Sequence, residues 1–433
     1  MAGIRLVYIG GASTRAPGTV ASFVEHGEAF RGSEIVLVDL DADRLEVVRR
    51  LTERMAADRG FDVRVRATTD RRSALDGADV VLTSFRPGGF EARVLDETIP
   101  PRHGIIGQET QGPGGFFMAL RSIAVMREIV SEMEHICPDA WLVNYTNPVN
   151  IVSEAITHHS SVRCVSLCEG PLTFPRDIAR VAGLDPARLA ATMVGLNHTG
   201  WSVKHEYDGA DVMPLIERSA ARLDANGGPT TRDELLVHLA ATMGALPSAY
   251  LYYYYFADDA LDAARAAPRT RAQEIMANVD DYWVHYREQA DAAHPRLDPD
   301  RSRGGILELE LAVDVIDAIV NDRGTVWPVN VPNQGAPLRG FPDDLVVEVP
   351  ALVSAAGIEP IAVPALPRHV RGLIESLGAY QSLAAEAAWS GTRRDGIRAL
   401  AAHPLVRTLP TAETLYDEMA EAHRAYLPTR LLA

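Results

Sequence analysis

The chain has 433 residues, more than one ordinary hydrophobic core holds, and this length favours two domains. Apolar residues make up 47% of the sequence, and 42 Lys and Arg against 58 Asp and Glu give a formal net charge of −16. This acidic excess argues against nucleic acid or an anionic membrane as the main partner, so an anionic ligand would need a local cluster of arginines. Because no run approaches about 18 consecutive apolar residues, we expect no membrane span.

The cysteine content indicates the compartment. Cys137, Cys164 and Cys168 are too few for a disulfide framework, which favours the reducing cytoplasm. The first predicted strand begins at Ile4 and leaves no room for a signal peptide. We therefore expect a cytoplasmic protein.

The first predicted elements form a strand–turn–helix unit. A mostly apolar run at residues 4–9 predicts a buried parallel strand, and a helical pattern follows with Pro17 near its first turn. Such a helix N-terminus after a glycine-rich turn can bind a pyrophosphate. The match to G-x-G-x-x-G is imperfect because Ala12 and Arg15 stand where glycines are expected, so an ordinary strand–turn–helix unit stays open. The turn consists of Gly10, Gly11, Ala12 and Ser13.

The second predicted strand, residues 34–39, ends in Asp39. An acid at this position can accept hydrogen bonds from both ribose hydroxyls and would repel a 2′-phosphate. Together with the glycine-rich turn, Asp39 favours a dinucleotide-binding fold that prefers NAD to NADP.

Three later strands are predicted at residues 76–85, 140–147 and 162–168. Each ends in a polar turn, and open α/β sheets bind ligands at the carboxyl edge where such turns meet. Residues 96–121 are polar and glycine-rich, with helix expected after Gly115; such a long loop is a candidate for ligand contact or else a surface loop. Strands alternating with helices predict a doubly wound α/β fold.

The alternation ends around residues 184–193, and the pattern after residue 198 is mostly helical. We place a domain boundary near residue 190, between a dinucleotide-binding domain (1–190) and a substrate, metal and oligomerisation domain (191–433). Helices are predicted at residues 232–243, 271–290, 305–321, 367–390 and 412–423.

Several residues could carry chemistry. Cys168 follows a strand, and His198 lies in a turn 30 residues later; a thiolate and an imidazole can hold a divalent ion, although each residue alone is more typical of a core. One tyrosine of the cluster at residues 250–255 could act as a base, or all of them could serve packing. Four arginines could clamp an anion or simply be solvated: Arg86, Arg93, Arg271 and Arg303.

A set of motifs along nearly the whole chain carries a family resemblance. They are GGAS (10–13), RPGG (86–89), DETIPPRHGIIGQETQGPGGF (96–116), TNPVN (146–150), LC (167–168), GLNH (195–198), LPSAYLYYYY (246–255), TRAQEIM (270–276), RGG (303–305) and VNVPNQG (329–335). On these motifs the chain resembles the NAD- and metal-dependent family 4 glycoside hydrolases. The resemblance implies a Rossmann-like doubly wound parallel sheet, like that of lactate and malate dehydrogenases, with a mainly helical second domain.

The family chemistry differs from two-carboxylate glycoside hydrolysis. The resemblance implies that NAD takes a hydride from C3 of the sugar and that a metal such as Mn²⁺ polarises the ketone, which acidifies the C2 proton. A tyrosine removes that proton, the C1 substituent leaves by elimination, water adds, and the hydride returns to C3.

The resemblance also implies roles for residues. Cys168 and His198 become the metal ligands and Tyr250 the base, with Tyr252, Tyr253 and Tyr254 as close alternatives. Arg86, Arg93 and Arg271 would hold a distal anion of the substrate, commonly a 6-phosphate. Cofactor contacts are implied at Gly10, Gly11, Ala12, Ser13, Asp39, Arg86 and Asn147, and substrate contacts at Arg86, Arg93, Asn147, Asn197, Arg271 and Arg303.

One residue departs from the family pattern. Glu169 stands after the Cys, where members that resemble 6-phospho-α-glucosidases have Asp and those that resemble 6-phospho-β-glucosidases have Asn. Glu169 could protonate the leaving oxygen, but the anomer preference stays open. A 6-sulfonate would suit the same arginines, so an NAD-dependent sulfoquinovosidase is an alternative.

Two other classes of function compete with a glycosidase. A plain NAD-dependent dehydrogenase of a hydroxy acid or polyol would accumulate NADH, whereas a glycosidase returns its hydride. A nucleotide-binding sensor would bind NAD without releasing an aglycone. For the glycosidase we expect a homodimer or homotetramer acting on a small anionic glycoside.

Overall fold

The computed structural model describes residues 3–303 and 310–432. Within this part of the chain, twelve strands build a nine-stranded sheet and a separate three-stranded sheet. The strands are β1 (Arg5–Ile9), β2 (Ser33–Val38), β3 (Val63–Thr68), β4 (Val80–Thr83), β5 (Trp141–Asn144), β6 (Arg163–Ser166), β7 (Leu189–Val194), β8 (Trp201–Tyr207), β9 (Ala210–Asp211), β10 (Thr325–Pro332), β11 (Val346–Ser354) and β12 (Gly357–Pro360).

The described residues also form seventeen α-helices. They are α1 (Ala16–Glu25), α2 (Ala42–Arg59), α3 (Arg71–Leu75), α4 (Gly89–Thr98), α5 (Gly112–Ile136), α6 (Val149–His159), α7 (Gly170–Val181), α8 (Met213–Ala225), α9 (Arg232–Met243), α10 (Tyr252–Tyr255), α11 (Ala257–Ala266), α12 (Arg271–Met276), α13 (Val279–Asp291), α14 (Glu310–Val320), α15 (Arg368–Trp389), α16 (Arg393–Ala402) and α17 (Leu409–Ala422).

The main sheet has the strand order of a dinucleotide-binding fold. Six parallel strands run β3-β2-β1-β4-β5-β6, and the order reverses between β1 and β4, where such sheets bind ligands at their carboxyl edge. The predicted doubly wound parallel sheet is confirmed. Beyond β6 the sheet continues with β10, β11 and β12, which are antiparallel, and Asn330 on β10 faces Ser166 on β6.

Burial explains why the parallel strands are apolar runs rather than alternating patterns. Leu6, Val7 and Tyr8 in β1 are at most 1% exposed, so both faces of the strand are covered. Helix α1 packs against α2 and α14, while α5 and α6 pack against α15. These two groups of helices are typical of a sheet covered on both faces.

The sequence did not predict β3, β7 or the strands β8 to β12 of the mainly helical second half. Prolines explain why β10 and β11 were missed, because proline lacks the N–H of a strand ladder. Pro328 and Pro350 face each other across β10 and β11, so two residues without an N–H meet at one position. The later chain thus returns to the sheet of the first half, and the division at residue 190 stays a prediction.

The predicted helices are largely present. Helix α9 has the predicted bounds, whereas α5 begins at Gly112, earlier than expected, with Pro113 in its first turn. The helix predicted at residues 271–290 is two helices, because Asn278 leaves the helical ladder and its Nδ2 donates to the Glu274 carbonyl at 2.9 Å.

Two predictions fall partly on residues outside the described part. These are the glycines of the RGG motif, residues 304 and 305, and the start of the helix predicted at residues 305–321. In the described residues, no helix combines the length and the apolar character needed to cross a membrane.

Candidate active site

The turn after β1 is shaped by close backbone approach. Gly10 has φ +103°, and a Cβ there would collide with the Ser84 carbonyl oxygen at the end of β4. The N–H groups of Gly10 and Gly11 both donate to the Val38 carbonyl at 2.9 and 3.1 Å. The turn is therefore held between β2 and β4, at the point where the strand order reverses.

Asp39 lies beside this turn, directly after β2. Its carboxylate accepts from the Ala12 N–H at 2.9 Å and from the Leu40 N–H at 2.7 Å, and the Ser13 N–H donates to Gly10 at 3.0 Å. Among the described residues no side chain caps the first turn of α1, so its N–H groups can serve an anion. The structure thus brings the predicted cofactor residues of the turn together with Asp39.

Asn147 lies in the turn after β5, at the same edge of the sheet. Its backbone carbonyl accepts from the Ser122 hydroxyl at 2.8 Å. Its side-chain Oδ1 is buried and has no hydrogen-bond partner within the described residues. A buried amide oxygen without a partner is costly, so this position suits a ligand that donates a hydrogen bond.

The predicted arginines Arg86 and Arg93 surround a carboxylate, Glu109. Arg86 forms an ion pair with Glu109, and Arg93 lies 2.9 Å from Glu109 and 2.6 Å from Glu97. Arg303 donates to the Thr14 hydroxyl at 3.2 Å, and its guanidinium lies 4.7 Å from the ring centre of Phe90.

The charges of this cluster are strongly coupled. Burial opposes ionisation of Glu109, but Arg86, Arg93 and Arg303 outweigh it and lower the pKa of Glu109 to about 2. Burial, with Arg15 and Arg86 nearby, lowers the pKa of Arg303 to about 9. A buried guanidinium whose charged form is disfavoured in this way is stabilised by an added anion.

A cavity of about 940 Å³ opens next to this cluster. Its wall includes Tyr250 and Glu109, and it carries more arginines than acids although the whole chain is acidic. Arg271 lines the exposed side of this cavity, where it forms an ion pair with Glu274 at 2.9 Å. The lining arginines are Arg15, Arg93, Arg180, Arg232, Arg269, Arg271 and Arg303.

Cys168 and His198 meet although 30 residues separate them. The Cys168 Sγ lies 3.6 Å from His198 Nε2 and accepts from the Gly170 N–H at 3.4 Å. Burial raises the pKa of Cys168 to about 12 and lowers that of His198 to about 4. Both pKa shifts favour the uncharged forms of the two side chains.

This pair fits a divalent metal ion. Bonds of about 2.3 Å to sulfur and about 2.1 Å to nitrogen at angles of about 90–110° put two ligands ~3.1–3.6 Å apart. Among the described residues there is no cluster of three or more His, Cys, Asp and Glu side chains suited to a metal. Cys168 and His198 could together hold such an ion, and two protein ligands would leave open positions for a substrate.

Tyr250 stacks on His198. The two ring centres are 3.9 Å apart and the planes differ by 4°, while Phe174 packs edge-on against Tyr250 at 5.8 Å. Of the tyrosines at positions 250 and 252–255, Tyr250 and Tyr253 line the cavity. The Tyr254 hydroxyl instead donates to Gln111 at 2.7 Å.

Glu169 and Asn197 have protein partners. Glu169 accepts from the Tyr145 hydroxyl at 2.9 Å. Asn197 is buried and donates to Glu348 at 2.8 Å. Against the larger effect of burial, it also lowers the pKa of the Cys168 thiol, and its contact with a substrate stays a prediction.

Comparison with known families and structures identifies the chain. The model of the family 4 glycosyl hydrolases matches residues 5–184, and that of the C-terminal domain of these enzymes matches residues 193–406. The chain belongs to family 4 of the glycosyl hydrolases. The predicted family and the prediction that the protein is a glycoside hydrolase are both confirmed.

Two relatives of this family 4 chain are similar over almost their full length. A probable 6-phospho-beta-glucosidase of Bacillus subtilis is 35% identical over 439 residues, with 98% of each chain covered. A 6-phospho-beta-glucosidase of Escherichia coli is 32% identical over 438 residues, with 98% of this chain and 96% of the relative covered.

Solved structures of both anomer types also match. A 6-phospho-alpha-glucosidase from gut microorganisms, in complex with NAD and Mn²⁺, is 26% identical with a TM-score of 0.86 and 99% of each chain covered. A 6-phospho-beta glucosidase from Thermotoga maritima, with NAD and glucose-6-phosphate, is 27% identical with a TM-score of 0.85 and 98% of this chain and 99% of that chain covered.

A lactate dehydrogenase of Cryptosporidium parvum shares the fold of this family 4 chain. Its identity is 14% and its TM-score 0.53, with 89% of this chain and 99% of that chain covered. The predicted likeness to lactate dehydrogenases is confirmed at the level of the fold.

Sequence reasoning missed several residues of the site. Glu109 and Thr110 lie inside the GQETQ string and were given no role, although adjacent polar residues after Gly107 in a ligand loop were a signal. Glu348 was also missed, although it is a single acid in the apolar run VVEVPALV. Arg15 and Arg232 also line the cavity; Arg15 was noted only as a departure from the glycine pattern, and Arg232 had no signal beyond its charge.

Proposed function

We propose that this family 4 enzyme hydrolyses a glycoside with an anionic group on C6, a 6-phospho-glucoside first of all, using NAD and a divalent ion such as Mn²⁺. The observation that carries the proposal is an arginine-rich cavity in an acidic chain. Tyr250 lies on the wall of this cavity and stacks on His198. Relatives named as 6-phospho-glucosidases support the substrate class.

The residues present fit both cofactors. Asp39 and the Gly10 turn suit the adenosine half of NAD. The buried Oδ1 of Asn147 suits a hydrogen-bond donor on the nicotinamide half of NAD. Cys168 and His198 would hold the ion. When bound, NAD supplies a hydride acceptor for C3 of the sugar, and the ion supplies a Lewis acid at the C3 oxygen.

The chain's own residues supply proton transfer and binding. Tyr250 takes the proton from C2, and Glu169 gives a proton to the leaving oxygen on C1. Arg303, Arg93 and Arg271 bind the anion on C6, with Arg86 behind them. Water then adds at C1, and the proton returns to C2 from the same side chain.

A panel of nitrophenyl glucosides tests the substrate. Both anomers are assayed plain, 6-phosphorylated and 6-sulfonated, with NAD and with or without Mn²⁺. We expect aglycone release from a 6-phosphorylated substrate, with flat NADH absorbance because the hydride returns. Faster release from a 6-sulfonate would favour a sulfoquinovosidase, and steady NADH accumulation would favour a plain dehydrogenase. Release from the plain glucosides alone would refute the anionic substrate.

The Arg303→Gln variant tests the anion site itself. It should raise KM for the 6-phosphorylated substrate by about tenfold or more, because the anion loses a charged contact with a half-buried guanidinium. The KM for NAD, measured in the same assay, separates this loss from a loss of cofactor binding. Arg54→Gln, on the exposed surface of α2, is the matched control and should change neither constant.

We further propose a cytoplasmic homodimer or homotetramer. Cys137, Cys164 and Cys168 are free thiols, which suits a reducing compartment. Sedimentation of the purified enzyme measures the oligomer, and a monomer at assay concentrations would contradict it.

A further inference from the structure

Thr110 lies between Gln108 and the imidazole of His198. The Thr110 hydroxyl is 2.9 Å from Gln108 Oε1 and 3.0 Å from His198 Nδ1. All three residues are buried, at most 9% exposed. The opposite ring nitrogen, Nε2, faces Cys168 at 3.6 Å. A neutral imidazole has one ring proton, so a contact that places this proton on Nδ1 leaves a lone pair on Nε2.

The donors and acceptors in this series of hydrogen bonds follow from the chemistry of the groups involved. Gln108 Oε1 accepts from the backbone N–H of Thr110 at 2.6 Å and of Gln111 at 2.7 Å. Backbone N–H groups only donate, so this end of the amide must be the oxygen. The same oxygen takes the single hydroxyl hydrogen of Thr110, and the Thr110 oxygen can then only accept from His198.

The consequence is one tautomer of His198. Its ring proton sits on Nδ1 and is donated to Thr110, which leaves the lone pair of Nε2 directed at Cys168. A neutral imidazole with a free nitrogen is the form that binds a metal. The same hydrogen bond fixes the ring plane on which Tyr250 stacks at 3.9 Å.

The backbone of His198 is held in an unusual conformation. Its φ of +68° lies in the left-handed region, which non-glycine residues rarely adopt. The Ser248 hydroxyl donates to the His198 carbonyl, so the surrounding structure holds the residue in this conformation.

We propose that Thr110 is a positioning residue that fixes the tautomer and the ring plane of His198 for metal binding. The proposal rests on the metal site of the proposed function. Thr110 touches neither substrate nor cofactor in this role, and it acts through His198 alone. The alternative is that Thr110 merely fills space, which Val would do equally well.

The test compares Thr110→Val, which keeps the shape and removes the hydroxyl, with Thr110→Ser, which keeps the hydroxyl. The first readout is the imidazole nitrogen shifts of ¹⁵N-histidine-labelled full-length protein without added metal, with His198→Asn used to assign the signal. Wild type and Thr110→Ser should show the proton on Nδ1, and Thr110→Val should show a mixture. An unchanged Nδ1–H tautomer in Thr110→Val would overturn the proposal.

The second readout is Mn²⁺ affinity by calorimetry. Thr110→Val should bind Mn²⁺ about 10–100-fold more weakly, and Thr110→Ser should stay within about threefold of wild type. NAD affinity should be the same in all three proteins. Wild-type Mn²⁺ affinity in Thr110→Val would overturn the proposal.

A failed variant remains informative. If Thr110→Val does not fold, Thr110→Ala replaces it, since a smaller side chain cannot clash. If wild type itself does not bind Mn²⁺, the metal part of the proposed function fails, whereas the tautomer measurement still decides whether Thr110 orients His198.

Discussion

At the scale of single residues, Glu109 holds together the charges of the site. It lies between Arg86 and Arg93, and these side chains with Arg303 keep its pKa near 2. A carboxylate with a folded-state pKa below its unfolded value of 4.5 stabilises the fold above pH 4.5 and loses this contribution as the pH falls towards 2.

Glu109→Gln should therefore destabilise the protein in a pH-dependent way. A shift from 4.5 to about 2 corresponds to about 3 kcal/mol at pH 7 and about 1 kcal/mol at pH 3. Urea unfolding at both pH values measures the difference from wild type. The same substitution at the exposed Glu128 should change stability by under about 1 kcal/mol. A Glu109→Gln effect that is equal at both pH values would contradict the ion-pair explanation.

Tyr250 is the second residue whose role can be tested alone. Tyr250→Phe removes one hydroxyl but keeps the ring on His198, so turnover should fall about 10²–10⁴-fold with the melting temperature nearly unchanged. Tyr255→Phe is the matched control, since Tyr255 packs edge-on against Trp201 and does not line the cavity. Full activity of Tyr250→Phe together with loss in Tyr253→Phe would move the base to Tyr253.

Solvent deuterium tests the reaction in which Tyr250 acts. Proton removal at C2 exchanges that hydrogen with solvent, so the sugar formed in D₂O should carry deuterium at C2. Direct displacement at C1 leaves C2 untouched. Product without deuterium at C2, with exchange of the free sugar excluded, would refute elimination.

At the scale of elements, α5 holds the loop that carries Glu109 and Thr110. Gly114 in the first turn of α5 packs against the backbone of this loop, and a Cβ there would lie 2.7 Å from the Asp96 carbonyl oxygen and collide with that of Gln108. Small residues at this helix end therefore allow the loop to reach both Arg93 and His198.

Gly114→Ala should displace that loop. We expect a loss of about 2 kcal/mol or more in unfolding free energy and a large loss of activity, because backbone must move to admit the methyl group. Gly372→Ala in α15 is the control. No atom of the described residues lies within 4 Å of a Cβ placed there, so the substitution should stabilise the helix by about 0.5–1 kcal/mol. Thermal unfolding and turnover are measured for both variants. Equal stability and equal activity of Gly114→Ala and Gly372→Ala would show that the close backbone approach at Gly114 is unimportant.

At the scale of the whole molecule, the two halves of the chain share one sheet. Strand β10 pairs with β6, and α15 from the second half packs on α5 and α6 from the first. Asn197, which follows β7 of the three-stranded sheet, donates a buried hydrogen bond to Glu348 on β11. This architecture makes separate unfolding of residues 1–190 unfavourable, since it would expose a sheet edge and buried helix faces.

The full chain should therefore unfold in one transition. Far-ultraviolet circular dichroism and tryptophan fluorescence should give coincident curves, since the five tryptophans include Trp141 in the first half and Trp327 in the second. NAD at about a hundredfold its Kd should stabilise the whole transition by about 2.7 kcal/mol. Two transitions, of which NAD shifts one, would contradict the prediction.

The sequence alone determined the parts of the protein that depend on local patterns. The apolar runs of β1 and β4 predict buried parallel strands because such strands are covered on both faces, and Gly10 and Asp39 come directly after β1 and β2. The motifs along nearly the whole chain, above all the specific string GQETQGPGG (107–115), led to the family, which the comparisons confirm. Each of these features is specified by residues that are close together in the sequence, so it can be predicted without the tertiary structure.

Tertiary structure alone decided which distant groups meet. Thr110 contacts His198 across 88 residues, and Asn197 contacts Glu348 across 151. Glu109 became the counter-ion of Arg86 and Arg93, and the strands β10 to β12 joined the first sheet despite their prolines. No local pattern specifies such contacts, because their partners are set by how helices and strands pack, and packing depends on the whole chain.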